Sequence, residues 1–132
     1  MALVLDACAL IAYLRDEPGA EVVEQLLLAD TDAVVHAANL CEVYYDFVRA
    51  EGTQAAEDAI ADIAAIPVLT VEDMDLPFLR DVGQIKANNA VSFADCFAIA
   101  LARKRNADVV TSDRREFEPI QKAGICRVTF IR

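Results

Sequence analysis

The sequence predicts an α/β fold, a mostly parallel sheet of four to five strands flanked by helices. Three observations predict it. Short apolar runs rich in Val and Leu alternate with helical stretches, the order expected of a parallel sheet built through crossovers. Acidic residues fall just after such runs or in the first turn of the next helix, as at Asp6 and Asp113. Hydrophobic residues make up 56% of the chain, with only four Gly and four Pro, which suits a buried core and argues against disorder. The length, 132 residues, suits a single domain spanning 1–132.

The elements follow in order. Residues 2–5 are a buried strand ending at Asp6. Residues 7–16 and 21–29 are helices, divided by the turn signal Asp16-Glu17-Pro18-Gly19. Residues 33–35 form a second strand. A helix from about 39 to 51 is stopped by Gly52, and another spans 54–65. Residues 67–71 are a third strand. A helical stretch over 72–86 has a potential break at Pro77. Residues 92–105 form a clear helix, 108–111 a fourth strand and 126–130 a fifth. Sheets of this kind bind ligands at the carboxyl ends of their strands, where the strand order reverses.

Composition excludes several classes. No apolar run approaches the roughly 18–20 residues of a transmembrane helix. The apolar run at 7–14 follows an acid and lacks a basic leader, so it is not read as a signal peptide. The chain is therefore expected to be cytoplasmic, with no membrane contact. Cys8, Cys41, Cys96 and Cys126 include no Cys-x-x-Cys pair, which reads as free thiols rather than a zinc site or a disulfide scaffold. His36 is the single histidine, so acid–base catalysis by a histidine pair is excluded. It reads as a satisfied, partly buried residue. The net charge of −10 is opposite to the usual footprint of a phosphate-binding protein. A bound divalent cation or a basic partner would reconcile the two.

Four acids satisfy the strand-end rule. Asp6 ends the first strand, Glu42 and Asp95 lie in first turns of helices, and Asp113 follows the fourth strand. Each also has a plainer reading. Asp6 could cap a helix. Ser92-x-x-Asp95 fits a capping box, with Asp95 reaching back to the Ser92 amide. Glu42 shares a polar helix face with Asp46 and Arg49. Asp113 could be a turn residue. Together, four converging carboxylates repel strongly: two of them about 4 Å apart cost roughly 4 kcal/mol at an effective dielectric of 20. Shared protons or a divalent cation would relieve this. All-oxygen ligands favour Mg²⁺ or Mn²⁺ over zinc, and a water activated by such a cation suits phosphodiester hydrolysis. Of the basic clusters, 103–105 reads as a helix C-terminus complementing the dipole. Arg114-Arg115 adjoins Asp113 and is open to phosphate contact.

Four segments carry a resemblance: Val4-Leu5-Asp6-Ala7-Cys8-Ala9-Leu10-Ile11, Asn39-Leu40-Cys41-Glu42-Val43, the run from Ser92 to Ala100, and the run from Val110 to Phe117. In this order the chain resembles the PIN-domain nucleases, most closely the VapC-type toxins of toxin–antitoxin pairs. The resemblance implies a PIN fold, Mg²⁺ or Mn²⁺ at the acids, and cleavage of RNA. It implies Asp6 and Asp95 as principal metal ligands, with Glu42 and Asp113 completing the site. It also implies a homodimer and a small antitoxin partner. Cys8 departs from it, since Ser or Thr is common at that place. The alternative is a non-catalytic PIN-like module that acts by binding a partner. A receiver-type phosphoacceptor is disfavoured, because Asp6 lacks a second acid beside it and no Lys follows the last strand.

Overall fold

The computed structural model describes residues 1–132. The chain runs β1 (Ala2–Leu5), α1 (Ala7–Leu14), α2 (Ala20–Leu28), β2 (Asp32–His36), α3 (Ala37–Glu51), α4 (Thr53–Ala64), β3 (Leu69–Val71), α5 (Leu76–Asn88), α6 (Phe93–Arg105), β4 (Asp108–Thr111), α7 (Arg114–Lys122) and β5 (Arg127–Phe130). The strands form one all-parallel sheet in the order β3-β2-β1-β4-β5. No helix is long and apolar enough to cross a membrane.

Strand alternation divides the core into two layers. Val4, Val34 and Val109 point to one face, where they meet Phe78, Val82 and Ile85 of α5, the middle of α6, and Phe117 and Ile120 of α7. Leu3, Leu5, Val35 and Val110 point to the other, against α1, Val23 of α2, Val43 and Phe47 of α3, and Ala56, Ala59 and Ile63 of α4. The strand order reverses between β1 and β4. Asp6 therefore leaves β1, and Asp113 leaves β4, on either side of the switch point.

Three elements differ most from the sequence expectation, and α3 starts at Ala37 rather than about 39, which puts Glu42 in its second turn rather than its first. β3 starts at Leu69 rather than 67, because the Val68 amide bonds back to the Ile66 carbonyl in a turn. α5 starts later and is unbroken. Asp75 caps it by accepting the Phe78 amide at 3.0 Å, and Pro77 falls in the first turn, where a missing N–H leaves no bond unmade. The third is α7, which the sequence reading left out. It is a nine-residue helix with Pro119 inside it and high charge outside. Its apolar face, Phe117 and Ile120, is nonetheless fully buried. Two signals mark it in the sequence. Asp113-x-x-Glu116 is a helix-start pattern, and Gly124 adopts a positive φ of 70° just past the end.

Candidate metal centre

The helix caps position the acids. Asp6 is completely buried and caps α1, its Oδ1 accepting the Ala9 amide at 2.8 Å. Its Oδ2 is also buried and makes no hydrogen bond. The capping and functional readings of Asp6 are thus compatible, since each uses a different oxygen. Asp113 does the same for α7, its Oδ1 accepting the Glu116 amide at 3.0 Å. Thr111 steadies that turn by accepting the Asp113 amide at 3.0 Å.

At α6 the expected capping box is only half formed. Ser92 Oγ accepts the Asp95 amide at 3.3 Å. The Ser92 amide, however, donates to Glu116 Oε1 at 3.2 Å and not to Asp95. A residue from α7 closes the cap, and the Asp95 carboxylate, 5% exposed, turns into the cleft. There Asp95, Asp113 and Glu116 each present an oxygen, all within 4.8 Å of one another. Glu116 Oε2 is buried without a partner, as Asp6 Oδ2 is.

Electrostatics tie Asp6 and Glu42 to this group. Burial pushes the Asp6 carboxyl up to about 7, with Glu42 and Asp113 adding repulsion, while the Thr111 hydroxyl and the Ala9 amide favour the charged form. Burial also raises Asp95, and close approach to Glu116 and the charge of Asp6 raise it further. Glu42 is half-buried on α3, and burial lifts its carboxyl as well. It stands outside the tightest group and feels Asp113 and Glu116 across the cleft. Asn39, fully buried one turn from Glu42, donates to the Ala94 carbonyl at 3.1 Å and so locks α3 to the start of α6.

Of the four acids read from the sequence, the fold gathers Asp95 and Asp113 most closely. Asp6 and Glu42 stand outside that group, Asp6 buried and within electrostatic reach of Asp95 and Asp113, and Glu42 within reach of Asp113. Glu116 was not singled out. It lies in the run from Val110 to Phe117 and forms an Asp-x-x-Glu pair with Asp113, which is the signal that marks it.

Neighbouring residues have plainer roles. His36 caps α3, its Nδ1 accepting the Ala38 amide at 3.0 Å while Nε2 meets the Asp73 carbonyl at 2.8 Å. In that pattern Nδ1 is the accepting nitrogen and Nε2 faces a carbonyl acceptor. The ring stacks on Phe78 at 5.3 Å, and it holds structure as the sequence suggested. All four cysteines are free thiols. Cys8 is half-buried beside the acids, and burial together with the charges of Asp6, Asp95, Glu42 and Asp113 keeps it protonated. Burial likewise pushes Cys96 up to about 11.

A partly buried set of hard oxygen donors, with two unpartnered carboxylate oxygens on Asp6 and Glu116, fits a divalent cation of the Mg²⁺ or Mn²⁺ type. Fold and cleft together define a parallel α/β protein with an acidic, cation-fitting cluster at its switch point, an architecture typical of nucleases. The sequence profile of the PIN domain matches residues 3–123, and the chain belongs to that family. Among curated proteins no sequence matches it. Solved structures share its fold. VapC20 of Mycobacterium tuberculosis, a toxin that cleaves the sarcin–ricin loop, superposes with a TM-score of 0.70 at 15% identity, over 89% of this chain and 94% of that one. VapBC2 of Rickettsia felis, bound to a promoter DNA fragment, gives 0.75 at 12% identity over 98% of both chains. DNA-bound VapBC of Salmonella typhimurium gives 0.73 at 19% identity, over 100% of this chain and 99% of its own.

Proposed function

We propose that this chain is a single-domain, metal-dependent endoribonuclease, the toxin of a toxin–antitoxin pair. One observation carries the reading. The carboxylates of Asp95 on α6, Asp113 in the β4–α7 turn and Glu116 on α7 meet within 4.8 Å, Asp6 is buried at the end of β1 beside the same switch point, and one oxygen each of Asp6 and Glu116 lacks a hydrogen-bond partner. A protein that buries several acids in one place without counter-charge incurs a large desolvation penalty. A site that holds a cation and a phosphate gives that arrangement a purpose.

In this reading Asp6, Asp95 and Asp113 hold the cation, with Glu116 beside them and Glu42 acting from the cleft edge. When bound, Mg²⁺ or Mn²⁺ would lower the pKa of water and offset charge on phosphate oxygens. The protein's share is orientation. The Ala9 and Glu116 amides fix one oxygen of Asp6 and of Asp113, leaving the other free to point into the cleft. The closed α6 cap holds the Asp95 backbone in place, which fixes where its side chain starts into the cleft. Above its raised pKa, Asp6 is an anion beside the cleft, and Glu42, its carboxyl lifted by burial, is the acid placed to accept a proton from an incoming water.

The matched solved structures include toxin–antitoxin complexes, which supports a small antitoxin as partner. We extend the reading to a homodimer working in the cytoplasm. The test uses the purified chain and a pool of cellular RNA. Cleavage should need Mn²⁺ or Mg²⁺, vanish in excess chelator, and fall at least about 100-fold in Asp6→Asn and Asp95→Asn. Undiminished cleavage in chelator would overturn it.

A further inference from the structure

The two neighbouring arginines at the start of α7 have different fates. Arg114 is fully engaged: its Nε donates to the Arg132 carbonyl at 2.8 Å, its Nη1 pairs with Glu118 at 3.2 Å, and its guanidinium stacks on Phe130 at 4.4 Å. Arg115 has no carboxylate within salt-bridge distance and no side-chain hydrogen bond, although the chain carries an excess of ten acids. It lines a cleft of about 480 Å³ between α7 and the turn joining α5 to α6. Asn89, Ala90 and Val91 form the far wall, and Asp113 and Glu116 belong both to this cleft and to the acidic cluster. Lys86 reaches the same turn, its Nζ donating to the Val91 carbonyl at 2.7 Å.

We infer that this cleft is the subsite for the nucleotide flanking the one that is cut, with Arg115 contacting its phosphate. The inference rests on the ribonuclease reading and adds the direction in which the strand leaves the acids. A cavity of this size is within the range that holds a ligand as large as a nucleotide. An unneutralised guanidinium beside a metal-type acidic cluster is suited to a polyanion whose next phosphate lies one nucleotide beyond the first. Arg115 is here a positioning residue: it sets where the strand lies and has no part in the bond that breaks.

The test compares the wild type with Arg115→Ala, Arg115→Lys and Lys122→Ala. The last removes one exposed charge at the far end of the same helix. The probe is a fluorescein-labelled, mixed-sequence single-stranded RNA of roughly 12 nucleotides, about the span one small domain can cover. Cleavage in Mn²⁺ should show KM raised about 5- to 20-fold in Arg115→Ala with kcat within about twofold, and partial recovery in Arg115→Lys. The slope of log affinity against log salt should shrink by about 0.7, one phosphate contact on a single strand. Lys122→Ala should match the wild type. A KM for Arg115→Ala equal to that of Lys122→Ala, or a loss in kcat alone, would overturn the subsite while leaving the ribonuclease reading intact. Binding of the same RNA is read separately by fluorescence anisotropy in Ca²⁺, whether or not the wild type cleaves. Failure of the wild type to cleave overturns the ribonuclease reading. Equal binding by wild type and Arg115→Ala overturns the subsite.

Discussion

Glu116 of α7 accepts the amide of Ser92, the capping residue of α6, at 3.2 Å. One carboxylate thus serves two elements 24 residues apart, with one oxygen completing a helix start and the other buried in the acidic cleft. Glu116→Ala should therefore affect two measurements. Loss of the cap should lower stability by about 1 kcal/mol in urea unfolding. Loss of the acid should weaken Mn²⁺ binding by roughly tenfold or more in calorimetry. A variant that loses stability while keeping full Mn²⁺ affinity would assign Glu116 to the cap alone.

The metal-free protein should lose stability as pH rises. Asp6 has its carboxyl raised to about 7 in the folded state, so from about pH 4 upward the folded chain keeps a proton that the unfolded chain releases. Stability is then greatest below the unfolded value and declines through about pH 7, and Asp95, raised in the same direction, prolongs the decline. Thermal melts in chelator should show a lower Tm at pH 8 than at pH 5.5. Mn²⁺ should reverse the trend, stabilising strongly at pH 8 and weakly at pH 5.5, because cation and proton compete for the same oxygens.

Asp6→Asn separates stability from binding. The amide oxygen can still accept the Ala9 N–H, and the buried charge is gone. In chelator at pH 8 this variant should be more stable than the wild type by about 2 kcal/mol, roughly 5–10 °C in Tm for a domain this size. It should show no Mn²⁺-induced rise. A drop in metal-free stability at pH 8 would mean that the carboxylate is better solvated than its burial indicates.

Gly19 starts α2 with φ of +101°, and a Cβ there would come within 2.9 Å of the Ile131 carbonyl oxygen and 2.8 Å of its side chain. The C-terminal residue reinforces the contact, Arg132 donating to the Pro18 carbonyl at 2.9 Å. Gly19→Ala should cost about 2 kcal/mol in urea unfolding, since both the backbone conformation and the space are denied to a side chain.

Most of the architecture was legible because strands buried on both faces read as unbroken apolar runs, and helices as periodic ones. Ala2–Leu5 is of the first kind, and in Asp108–Thr111 the run is reduced to Val109-Val110. The acids at their ends were legible through the strand-end rule alone. Glu116 was not, because in sequence it is one charge among many in Arg114-Arg115-Glu116-Phe117-Glu118. Its role depends on an amide 24 residues away. The helix carrying it was missed for a related reason: Pro119 argues against a helix locally, while the burial of Phe117 and Ile120 that overrides it is tertiary. The Asp95 carboxylate reads as a self-contained cap until α7 is present to take over that bond.

The central strand, β1, takes its two partners from far apart in the chain: Val4 lies beside Val34 on one side and beside Val109, 105 positions later, on the other. A nascent polypeptide emerging from the ribosome can begin to pair β1 with β2, but the other edge of β1 stays open until Asp108–Thr111 has been made. Asp6 is folded into its pocket only at that point, together with Asp95, Asp113 and Glu116. Any product of premature termination before β4 has its first acid and lacks the enclosure that raises its pKa and fixes its direction. On the reading proposed above, the capacity to damage RNA arises only after β4 and α7 have been made and joined to β1 and α6.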